Sequence, residues 1–383
     1  MLLLFRKIIS KIKFLIIRVV LPLIIRGLYS VVPRKRNSLL IIKNDGIGDY
    51  ILFRNYLEFL KNSRRYGHCK IYLLTNPACK NLVTTLDAEF IDGFFWYTDG
   101  YFLKWKLIKL LFNLQSLRLE TIIYPNYSRK FPIDWLVDKV NARIKITVNG
   151  DTVNQSGDLK SKGNKYYTEI VNVSAGPAHE FERNRQIMEA ITKETCEYEK
   201  PFVKQNIIKE TPHRRIVIFP GGSELSKKWP AMGYHRLCKR ICTDLKLNIV
   251  LAGGKNEIDE GKLIQGDIPD ELITNQIDKL SLTELFQLIA GARFLISNDT
   301  VAVHMAACLG IPSVCIAKGD LFGRFIPYPE NMAPEIHCIF PPGFIPLSRQ
   351  QIGPFMDINS IKPDLVYASV CSLLKKSYID ETP

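Results

Sequence analysis

The stretch FLISNDTVAVHMAACLGIP, residues 294–312, links an apolar strand to a helix through four polar residues. Its first three residues are typical of a buried strand, and Ser297–Thr300 has residue types whose side-chain oxygens cap helices. Gly310 fits the cap position after the helix, and Pro312 cannot continue the helix. The stretch predicts a strand, a turn and a helix over Val301–Leu309, which is the repeating unit of a parallel α/β fold.

The N-terminal end of this predicted helix suits a phosphate group. Backbone N–H groups without helical partners and the positive end of the helix dipole attract anions there. Asp299 and Thr300 lie at that end, and His304 follows one turn later. The same residues also fit a purely structural interpretation, in which Asp299 or Thr300 caps the helix and His304 packs in the core.

The same alternation of strand and helix patterns lies on both sides of a polar segment at 200–215. Short apolar runs of strand type lie at 38–42, 70–74, 121–124, 215–219, 248–252 and 313–317. Helical patterns cover Tyr50–Leu60 and His179–Ile191, and the polar stretch Asp151–Lys165 predicts an exposed loop. Ligands bind at the carboxyl ends of strands in such sheets, so two facing α/β domains would hold a ligand in the cleft between them.

Two further segments follow strand ends in the second half of the chain. After the run at 215–219 come Gly222, Ser223 and Lys228, which offer backbone N–H, hydroxyl and ammonium groups to a diphosphate. After the run at 248–252, Glu257 follows two glycines and could accept hydrogen bonds from ribose hydroxyls. The structural alternative for the first segment is a turn with solvated lysines, and for the second it is the polar start of a helix.

In the first half, Asp45 and Asp49 follow the run at 38–42 in the segment Asp45-Gly46-Ile47-Gly48-Asp49. A carboxylate at the start of the next helix could take the proton from an attacking sugar hydroxyl. The helix dipole would favour its ionised form. Asp49 is the first candidate and Asp45 competes with it, while the structural alternative is an N-cap.

The net charge of +14 is concentrated at the N-terminus. The first 44 residues hold ten Lys and Arg and no acidic residue, whereas the remaining 339 hold 42 basic against 38 acidic residues. A basic body that binds nucleic acid is therefore not expected. Nine cysteines without a C-x-x-C pair indicate reduced thiols in a cytoplasmic protein.

Residues 1–36 are apolar but repeatedly interrupted by basic residues. No run reaches the ~18–20 uncharged residues of a spanning helix, and Lys7, Lys11 and Arg18 share one helical face. This pattern is typical of a helix that lies on an anionic membrane surface. A shallowly inserted span and a soluble helix packed on the body are the alternatives.

Together, four motifs resemble those of glycosyltransferase family 9, the lipopolysaccharide heptosyltransferase family. They are I-G-D at Ile47–Asp49, P-G-x-S…K-x-W-P at Pro220–Pro230, G-x-x-x-E at Gly253–Glu257, and S-N-D-T-x-x-x-H at Ser297–His304 with A-A-x-L-G-x-P after it. They occur in this order between Ser38 and Lys318, and the last motif is specific.

The resemblance implies a GT-B fold, which has two facing Rossmann-like domains. Residues 1–36 would then be a basic amphipathic helical extension, 37–205 the acceptor-binding domain, 206–360 the nucleotide-sugar-binding domain, and 361–383 a C-terminal helix that crosses back. It also implies inverting transfer without an essential metal or other cofactor. The sequence contains no D-x-D triplet, which agrees with that expectation.

The resemblance assigns roles to individual residues. Asp49 becomes the base that activates the acceptor hydroxyl. The donor site would comprise Gly222, Ser223, Lys228, Asp299, Thr300 and His304 around the diphosphate and Glu257 at the ribose. In the first domain, Arg129 and Lys130 are our candidates for contacts to acidic groups of the acceptor.

The expected activity is transfer of a sugar, with heptose from ADP-heptose as the usual donor of the family, to lipopolysaccharide or a related lipid-linked saccharide. The enzyme would be peripheral on the cytoplasmic face of a bacterial inner membrane. One departure bears on this expectation: Val301 stands where the family has Gly. The alternatives are a catalytically degenerate nucleotide-binding scaffold in a polysaccharide assembly complex and a nucleotide-sugar epimerase.

Overall fold

The computed structural model describes residues 15–31, 33, 35–101, 105–204, 215–222, 224–345 and 357–380. The chain divides into two compact units. The first comprises Met1–Gly176 and Arg183–Glu197, and the second comprises Pro177–Glu182 and Tyr198–Pro383. The domain boundary predicted at 205/206 falls on residues 205–214, which lie outside the described residues. The four predicted domain ranges stay predictions.

A six-stranded parallel sheet forms the centre of the first unit. Its strands are β1 Ser38–Lys43, β2 Lys70–Thr75, β3 Gly93–Trp96, β4 Thr121–Tyr124, β5 Ile144–Val148 and β6 Glu169–Val171. They are arranged in the order β3-β2-β1-β4-β5-β6. Every residue of β1 is buried, which explains its apolar sequence. Because the order reverses between β1 and β4, the loops after these strands flank the crevice where such sheets bind ligands.

The strands of this unit are connected by α-helices. The helices of the unit are α1 Leu21–Ser30, α2 Ile47–Ile51, α3 Asn55–Asn62, α4 Lys80–Leu86, α5 Trp105–Ser116, α6 Phe131–Lys139, α7 Gly157–Asn164 and α8 Glu180–Thr192, whose first three residues belong to the second unit.

Two local predictions in the first unit were wrong. The stretch Asp151–Lys165 is not a continuous loop, because it contains α7, whose first turn is capped by the Ser156 hydroxyl accepting the Leu159 N–H at 3.4 Å. The polar composition of this segment hid a surface helix. The helix predicted over Tyr50–Leu60 is two helices, since α2 ends at Ile51 and α3 begins at Asn55.

The second unit repeats this architecture. Its strands are β7 Ile216–Phe219, β8 Ile249–Leu251, β9 Ile273–Asn275, β10 Phe294–Asn298, β11 Ser313–Ile316 and β12 Ile336–Ile339. All pair in parallel in the order β12-β11-β10-β7-β8-β9, so the reversal lies between β7 and β10. Two parallel α/β units confirm the predicted fold class.

The helices of the second unit are α9 Ala231–Asp244, α10 Ile258–Gln265, α11 Leu282–Ala290, α12 Val301–Leu309 and α13 Pro363–Asp380. Helix α12 has the predicted bounds, and Gly310 after it adopts the left-handed conformation with φ of 68°. Such a φ is strained for a residue with a side chain. Helix α13 buries Val366 and Val370 in the apolar core of this unit.

The described part of the N-terminal extension is helical and packs on the first unit. A short π-helix, Ile16–Val20, leads into α1, which contacts α5 and α6. Lys7 and Lys11 of the predicted basic face lie outside the described residues, and so does the side chain of Arg18. None of the helices described here has the length and hydropathy needed to cross a membrane.

Candidate functional site

The candidate donor site lies at the carboxyl edge of the second sheet, and Asn298 organises it. This residue ends β10 and is fully buried. Its Nδ2 donates to the carbonyls of Pro220, at 2.7 Å, and Gly221, at 3.0 Å. Its Oδ1 accepts the Trp229 N–H at 3.1 Å and the Tyr234 hydroxyl at 3.0 Å. One amide therefore locks the loop after β7 to the end of β10, across the point where the strand order reverses.

Lys228 lies between two carboxylates. Its Nζ is 2.8 Å from Glu257 Oε1 and 3.1 Å from Glu260 Oε1. Burial lowers the pKa of Lys228, but the hydrogen bonds to both carboxylates outweigh it and the pKa lies above its ordinary value. The second oxygen of Glu257 accepts the Gly254 N–H at 3.0 Å. Lys228, which is predicted to bind the diphosphate, is therefore in direct contact with Glu257, which is predicted to bind the ribose. Glu260 is a further partner of Lys228 that the sequence did not predict.

The glycines of the loop after β7 allow this close packing. A Cβ placed on Gly222 would lie 2.9 Å from Lys228 Cγ, and one on Gly221 would lie 2.7 Å from the ring of Phe219. A side chain at either position would force the neighbouring group to move. Gly222 thus lies beside Lys228, and its role in donor binding stays a prediction. Ser223 lies outside the described residues.

Asp299 and Thr300 immediately precede α12. The Thr300 hydroxyl accepts the Ala302 N–H at 3.3 Å and lies 2.9 Å from the Ser297 hydroxyl, so it caps the helix. Burial raises the pKa of the Asp299 carboxyl to about 6; the Lys227 ammonium counteracts this and the Asp320 carboxylate adds to it. Asp299 thus lies beside one cation and one further carboxylate. The capping interpretation of Thr300 is correct, since its hydroxyl satisfies the Ala302 N–H at the start of the helix.

His304 is buried inside the unit and not exposed at its surface. Its Nδ1 lies 2.7 Å from the hydroxyl of Tyr328, whose ring packs 4.5 Å from the ring of His179. Burial lowers the pKa of His304 to about 3, and His179 lowers it further. The imidazole is therefore neutral at physiological pH. It can form a hydrogen bond, but it does not carry the positive charge that a cationic side chain would offer to a phosphate. His179 is held by its Nε2 contact of 2.8 Å with the Phe325 carbonyl.

Val301 is the first residue of α12 and is half-buried. Thr300, immediately before it, has extended backbone angles of φ −144° and ψ 179°. The β-branched side chain of Val301 thus projects from the helix turn whose N–H groups would face a phosphate. The departure from the family motif lies at the helix end and not in the core.

The candidate base, Asp49, lies on the short helix α2 of the first unit. A Cβ on Gly46 would be 3.1 Å from Asp49 Oδ2, so the carboxylate turns back towards the start of its own helix. The neighbouring Tyr50 is buried and donates its hydroxyl to Asp87 at 2.7 Å, and Asp87 also pairs with Arg54 at 2.7 Å. This buried network fixes the helix that carries Asp49.

Asp45, the competing candidate, is held by two donors. Its Oδ2 lies 3.0 Å from Lys43 Nζ and accepts the Asn126 Nδ2–H at 2.6 Å. Lys43 is almost fully buried and its ammonium lies 5.1 Å from the ring centre of Phe53. Asp45 is therefore the counter-ion of a buried lysine, and this structural role leaves Asp49 as the stronger candidate for the base.

The two predicted acceptor contacts differ in position. Arg129 is 0% exposed and pairs with Asp134 at 3.3 Å, beneath the ring of Tyr167. Its guanidinium holds the interior of the first unit together, so the structure does not support Arg129 as an acceptor contact. Lys130 is partly exposed and its Nζ lies 3.4 Å from Asp99. The surface position of Lys130 is compatible with the prediction.

The sequence reasoning missed Asn298, Tyr328, Lys43 and Asn126. Asn298 belongs to a recognised motif, but its role required knowing that β7 and β10 are neighbours. Lys43 was visible as a lysine at the end of an otherwise apolar strand, which is a signal of a buried partnered charge. Among the described residues, no group of three or more His, Cys, Asp and Glu side chains is arranged to hold a metal ion.

Comparison with known families adds to this geometry. Residues 173–331 match the model of glycosyltransferase family 9 (heptosyltransferase). The predicted resemblance to this family is confirmed. The matched region contains the loop after β7, Lys228, Glu257 and the whole of α12.

Relatives of this family share sequence over part of the chain. The chain is 28% identical over 145 residues to lipooligosaccharide heptosyltransferase 2 of Haemophilus influenzae. That alignment covers 37% of this chain and 41% of the relative, so the match spans about two fifths of the length of the curated relative.

Solved structures of the family share the fold of the chain. A family 9 glycosyltransferase from Veillonella parvula is 15% identical, with a TM-score of 0.70 over 89% of this chain and 98% of that one. The ADP-heptose lipopolysaccharide heptosyltransferase II of Escherichia coli is 17% identical, with a TM-score of 0.65 over 89% and 99%. The predicted GT-B fold is confirmed.

Proposed function

We propose that this protein is an inverting glycosyltransferase of lipopolysaccharide biosynthesis that transfers heptose from ADP-heptose to a lipid-linked saccharide. One observation carries the proposal. Lys228, Glu257 and the N-terminal end of α12 lie within the region that matches the family model, at the carboxyl edge of one sheet. Such an edge is where α/β sheets bind nucleotides.

On the donor side, the leaving group is a nucleoside diphosphate. Negative charge grows on it as the anomeric carbon gains oxocarbenium character. The Lys228 ammonium and the N–H groups at the start of α12 would stabilise that charge where it develops, and this lowers the barrier more than it tightens ground-state binding. Glu257 would accept the ribose hydroxyls. Lys228 supplies positive charge from the protein itself, so we expect transfer without a bound metal.

On the acceptor side, Asp49 would take the proton from the attacking hydroxyl. The hydroxyl oxygen bonds to the anomeric carbon from the face opposite the diphosphate, which inverts the configuration. Lys130 is the remaining surface candidate for an acidic group of the acceptor. A lipid-linked acceptor requires the enzyme to work at a membrane, and we propose the cytoplasmic face of the inner membrane.

The donor assignment is tested by thermal unfolding with a panel of nucleoside diphosphates and nucleotide sugars, since a ligand that binds the native state raises its Tm. ADP-heptose and ADP should raise the Tm of the wild type, and Lys228→Met should lose most of that rise. Leu263→Ser, an exposed position on α10, is the matched control. If no member of the panel shifts the wild type, the donor site is wrongly assigned.

Val301 favours a second candidate, a nucleotide-binding scaffold without transferase activity. A β-branched residue at the first position of α12 restricts how closely the backbone approaches a phosphate. Mass spectrometry of the acceptor after incubation with donor separates the two candidates. A donor-induced rise in Tm without any acceptor modification would support the scaffold.

A further inference from the structure

Exposed apolar side chains are concentrated on two neighbouring helical segments of the first unit. Ten of the seventeen large apolar side chains exposed in the described residues belong to these segments. They are Leu15, Ile16, Val19, Val20, Leu23, Ile24, Leu28 and Val31 on the N-terminal segment, and Trp105 and Phe112 on α5. We call these ten side chains the α1–α5 face. Contiguous apolar surface of this kind marks an interaction site.

The spacing of these residues places them on one side of each helix. On the N-terminal segment they recur as three pairs four residues apart, from Leu15 and Ile16 to Leu23 and Ile24, and then singly at Leu28 and Val31. Trp105 and Phe112 are seven residues apart, which is two turns of α5. Trp105 is 57% exposed and Phe112 is 52% exposed, although both lie on a helix whose other side is in the core.

The α1–α5 face is held pointing away from that core. Ile25 packs into the apolar core of the first unit together with Leu107, Leu111 and Leu114 of α5. Arg26 fixes α1 further through an ion pair of 3.3 Å with Asp138. The Arg26 carbonyl also accepts the Asn141 Nδ2–H at 3.0 Å. The helix therefore buries one side and presents the apolar stripe on the other.

The same two segments carry the whole net charge of the protein. The stretch 1–44, which also includes β1 and its buried Lys43, holds ten basic residues, and residues 100–119 hold four; neither contains Asp or Glu. The other 319 residues hold 38 basic and 38 acidic residues. The two basic stretches meet in the structure, since the Lys35 N–H donates to the Arg118 carbonyl at 2.8 Å. Lys106 and Lys109 are exposed on α5 beside Trp105 and Phe112.

The positive charge of the two basic stretches favours an anionic bilayer over a second copy of the chain as the partner of the α1–α5 face. In a symmetric dimer the same patch would meet itself, and its exposed lysines, Lys106 and Lys109, would face the same basic patch on the second copy. An anionic bilayer instead offers negative headgroups to the lysines and a hydrocarbon boundary to the apolar side chains. Tryptophan and lysine are the residue types enriched at that boundary.

We propose that the α1–α5 face, with Lys106 and Lys109, is a docking surface for an anionic lipid bilayer. This inference rests on the proposed function only in that the acceptor is carried by a membrane lipid. It goes beyond an N-terminal anchor, because α5 belongs to the body of the first unit. Docking through both helices would set the orientation of that unit on the membrane.

The test uses the full-length protein and flotation with vesicles of phosphatidylethanolamine and phosphatidylglycerol, with pure phosphatidylcholine vesicles for comparison. Wild type should bind the anionic vesicles and release at high salt. Trp105→Ser with Phe112→Ser should weaken binding at least about tenfold, because two apolar anchors are removed. Lys106→Glu with Lys109→Glu should weaken it by about thirtyfold or more, since each lysine near an anionic surface contributes roughly fivefold.

Leu365→Ser with Lys362→Glu is the matched control, because it changes an exposed leucine and lysine near the start of α13. It should bind vesicles like wild type, and all variants should keep the wild-type Tm. Equal vesicle binding by wild type and both α5 variants would overturn the proposal. Equal wild-type binding to neutral and anionic vesicles would do so too, as would a dimer in sedimentation that the α5 variants dissociate without losing vesicle binding.

The outcome is separable from that of the proposed function. The donor-induced rise in Tm should be the same in wild type and both α5 variants, because α5 lies in the first unit and the donor candidates lie in the second. Vesicle binding without any nucleotide-induced shift would leave the docking surface standing and remove the donor assignment. The reverse result would remove only the docking surface.

Discussion

The two units have the same strand order, and in each an asparagine lies at or just after the carboxyl end of the fourth strand. The two asparagines, however, bind different partners. Asn298 is the last residue of the fourth strand of the second unit, and Asn126 lies two residues after the fourth strand of the first; in both units that strand is next to the first strand. Asn298 donates to the backbone carbonyls of Pro220 and Gly221 and so fixes a glycine loop. Asn126 donates to the side chain of Asp45, which is the partner of buried Lys43. The fold places both asparagines at equivalent ends of the sheets. The hydrogen-bond partner then determines whether the asparagine fixes a backbone loop, as Asn298 does, or positions a charged pair, as Asn126 does.

The proposed mechanism assigns proton transfer to the first unit and diphosphate stabilisation to the second. Replacing Asp49 tests it with the largest expected effect. Asp49→Asn keeps the size of the side chain but removes its basicity, so the transfer rate should fall by about 10²–10⁴-fold, the range for a general base. The rise in Tm caused by ADP should remain, since it reports on the second unit. Acceptor modification is followed by mass spectrometry.

Asp45→Asn is the informative companion, because it leaves Lys43 buried without its carboxylate. Losing one partner of a buried ion pair costs about 3–5 kcal/mol, so this variant should show a lower Tm before it shows a specific defect in transfer. If Asp45→Asn kept its Tm and lost transfer while Asp49→Asn stayed active, the two aspartates would have to exchange roles.

Replacing each of the two asparagines should give the next largest contrast, which is a difference in the free energy of unfolding. Asn298→Ala removes four hydrogen bonds from a fully buried site and leaves their partners unsatisfied, which should cost about 3 kcal/mol or more. Asn126→Ala should cost about 1 kcal/mol, since it removes one bond to a partly exposed carboxylate. Hydrogen exchange measured on peptides of each unit gives both values, and a larger loss for Asn126→Ala would contradict the comparison.

The sequence alone was enough to predict seven of the twelve described strands and the bounds of α12, because buried parallel strands are continuous apolar runs that stand out from their surroundings. It did not predict β3, β5, β6, β9 or β12. It did predict that Lys228 and Glu257 belong to one site. It could not show that Arg129 is internal, because the local sequence around an arginine after a strand does not tell whether the side chain is exposed or pairs with a buried carboxylate. Here the partner is the buried Asp134. The pairing of Asn298 with the loop after β7 depends on strand order, which local patterns do not contain.

Asp299 should make donor binding depend on pH in the second unit. Its pKa of about 6 means that the carboxyl becomes ionised between about pH 5 and 7, where it would repel a diphosphate held near Lys227. ADP affinity of Asp299→Asn relative to wild type should therefore rise by up to about tenfold across that range. Calorimetric titration at both pH values measures it, and the ratio removes the titration of ADP itself.

The same ionisation affects folding. The pKa of Asp299 is about 6 in the folded protein and 3.8 in the reference state, so its ionisation opposes folding. The Tm of Asp299→Asn should match wild type below about pH 4, exceed it increasingly up to about pH 6, and keep that lead above. A constant difference in Tm from pH 4 to pH 7 would mean that the carboxyl titrates normally.

The smallest expected effect concerns Val301, where this chain departs from the glycosyltransferase family 9 motif at the start of α12. Val301→Gly removes the β-branched side chain from the helix end that would face the diphosphate, and backbone N–H groups can then approach it more closely. ADP affinity should rise by about two- to tenfold, while the stability of the second unit should fall by no more than about 1 kcal/mol, because glycine is a weaker helix former.

Val301→Ala separates the two properties of the side chain. It keeps a Cβ but loses the branch, so its ADP affinity should lie between those of wild type and Val301→Gly, with little loss of stability. Calorimetric titration of ADP against the three proteins measures the series. If both variants bind ADP as wild type does or more weakly, the valine does not restrict the phosphate, and its half-buried side chain contributes to the site instead. In that case the donor pocket differs from that of relatives with glycine here, and the nucleotide panel should be repeated with other bases and sugars.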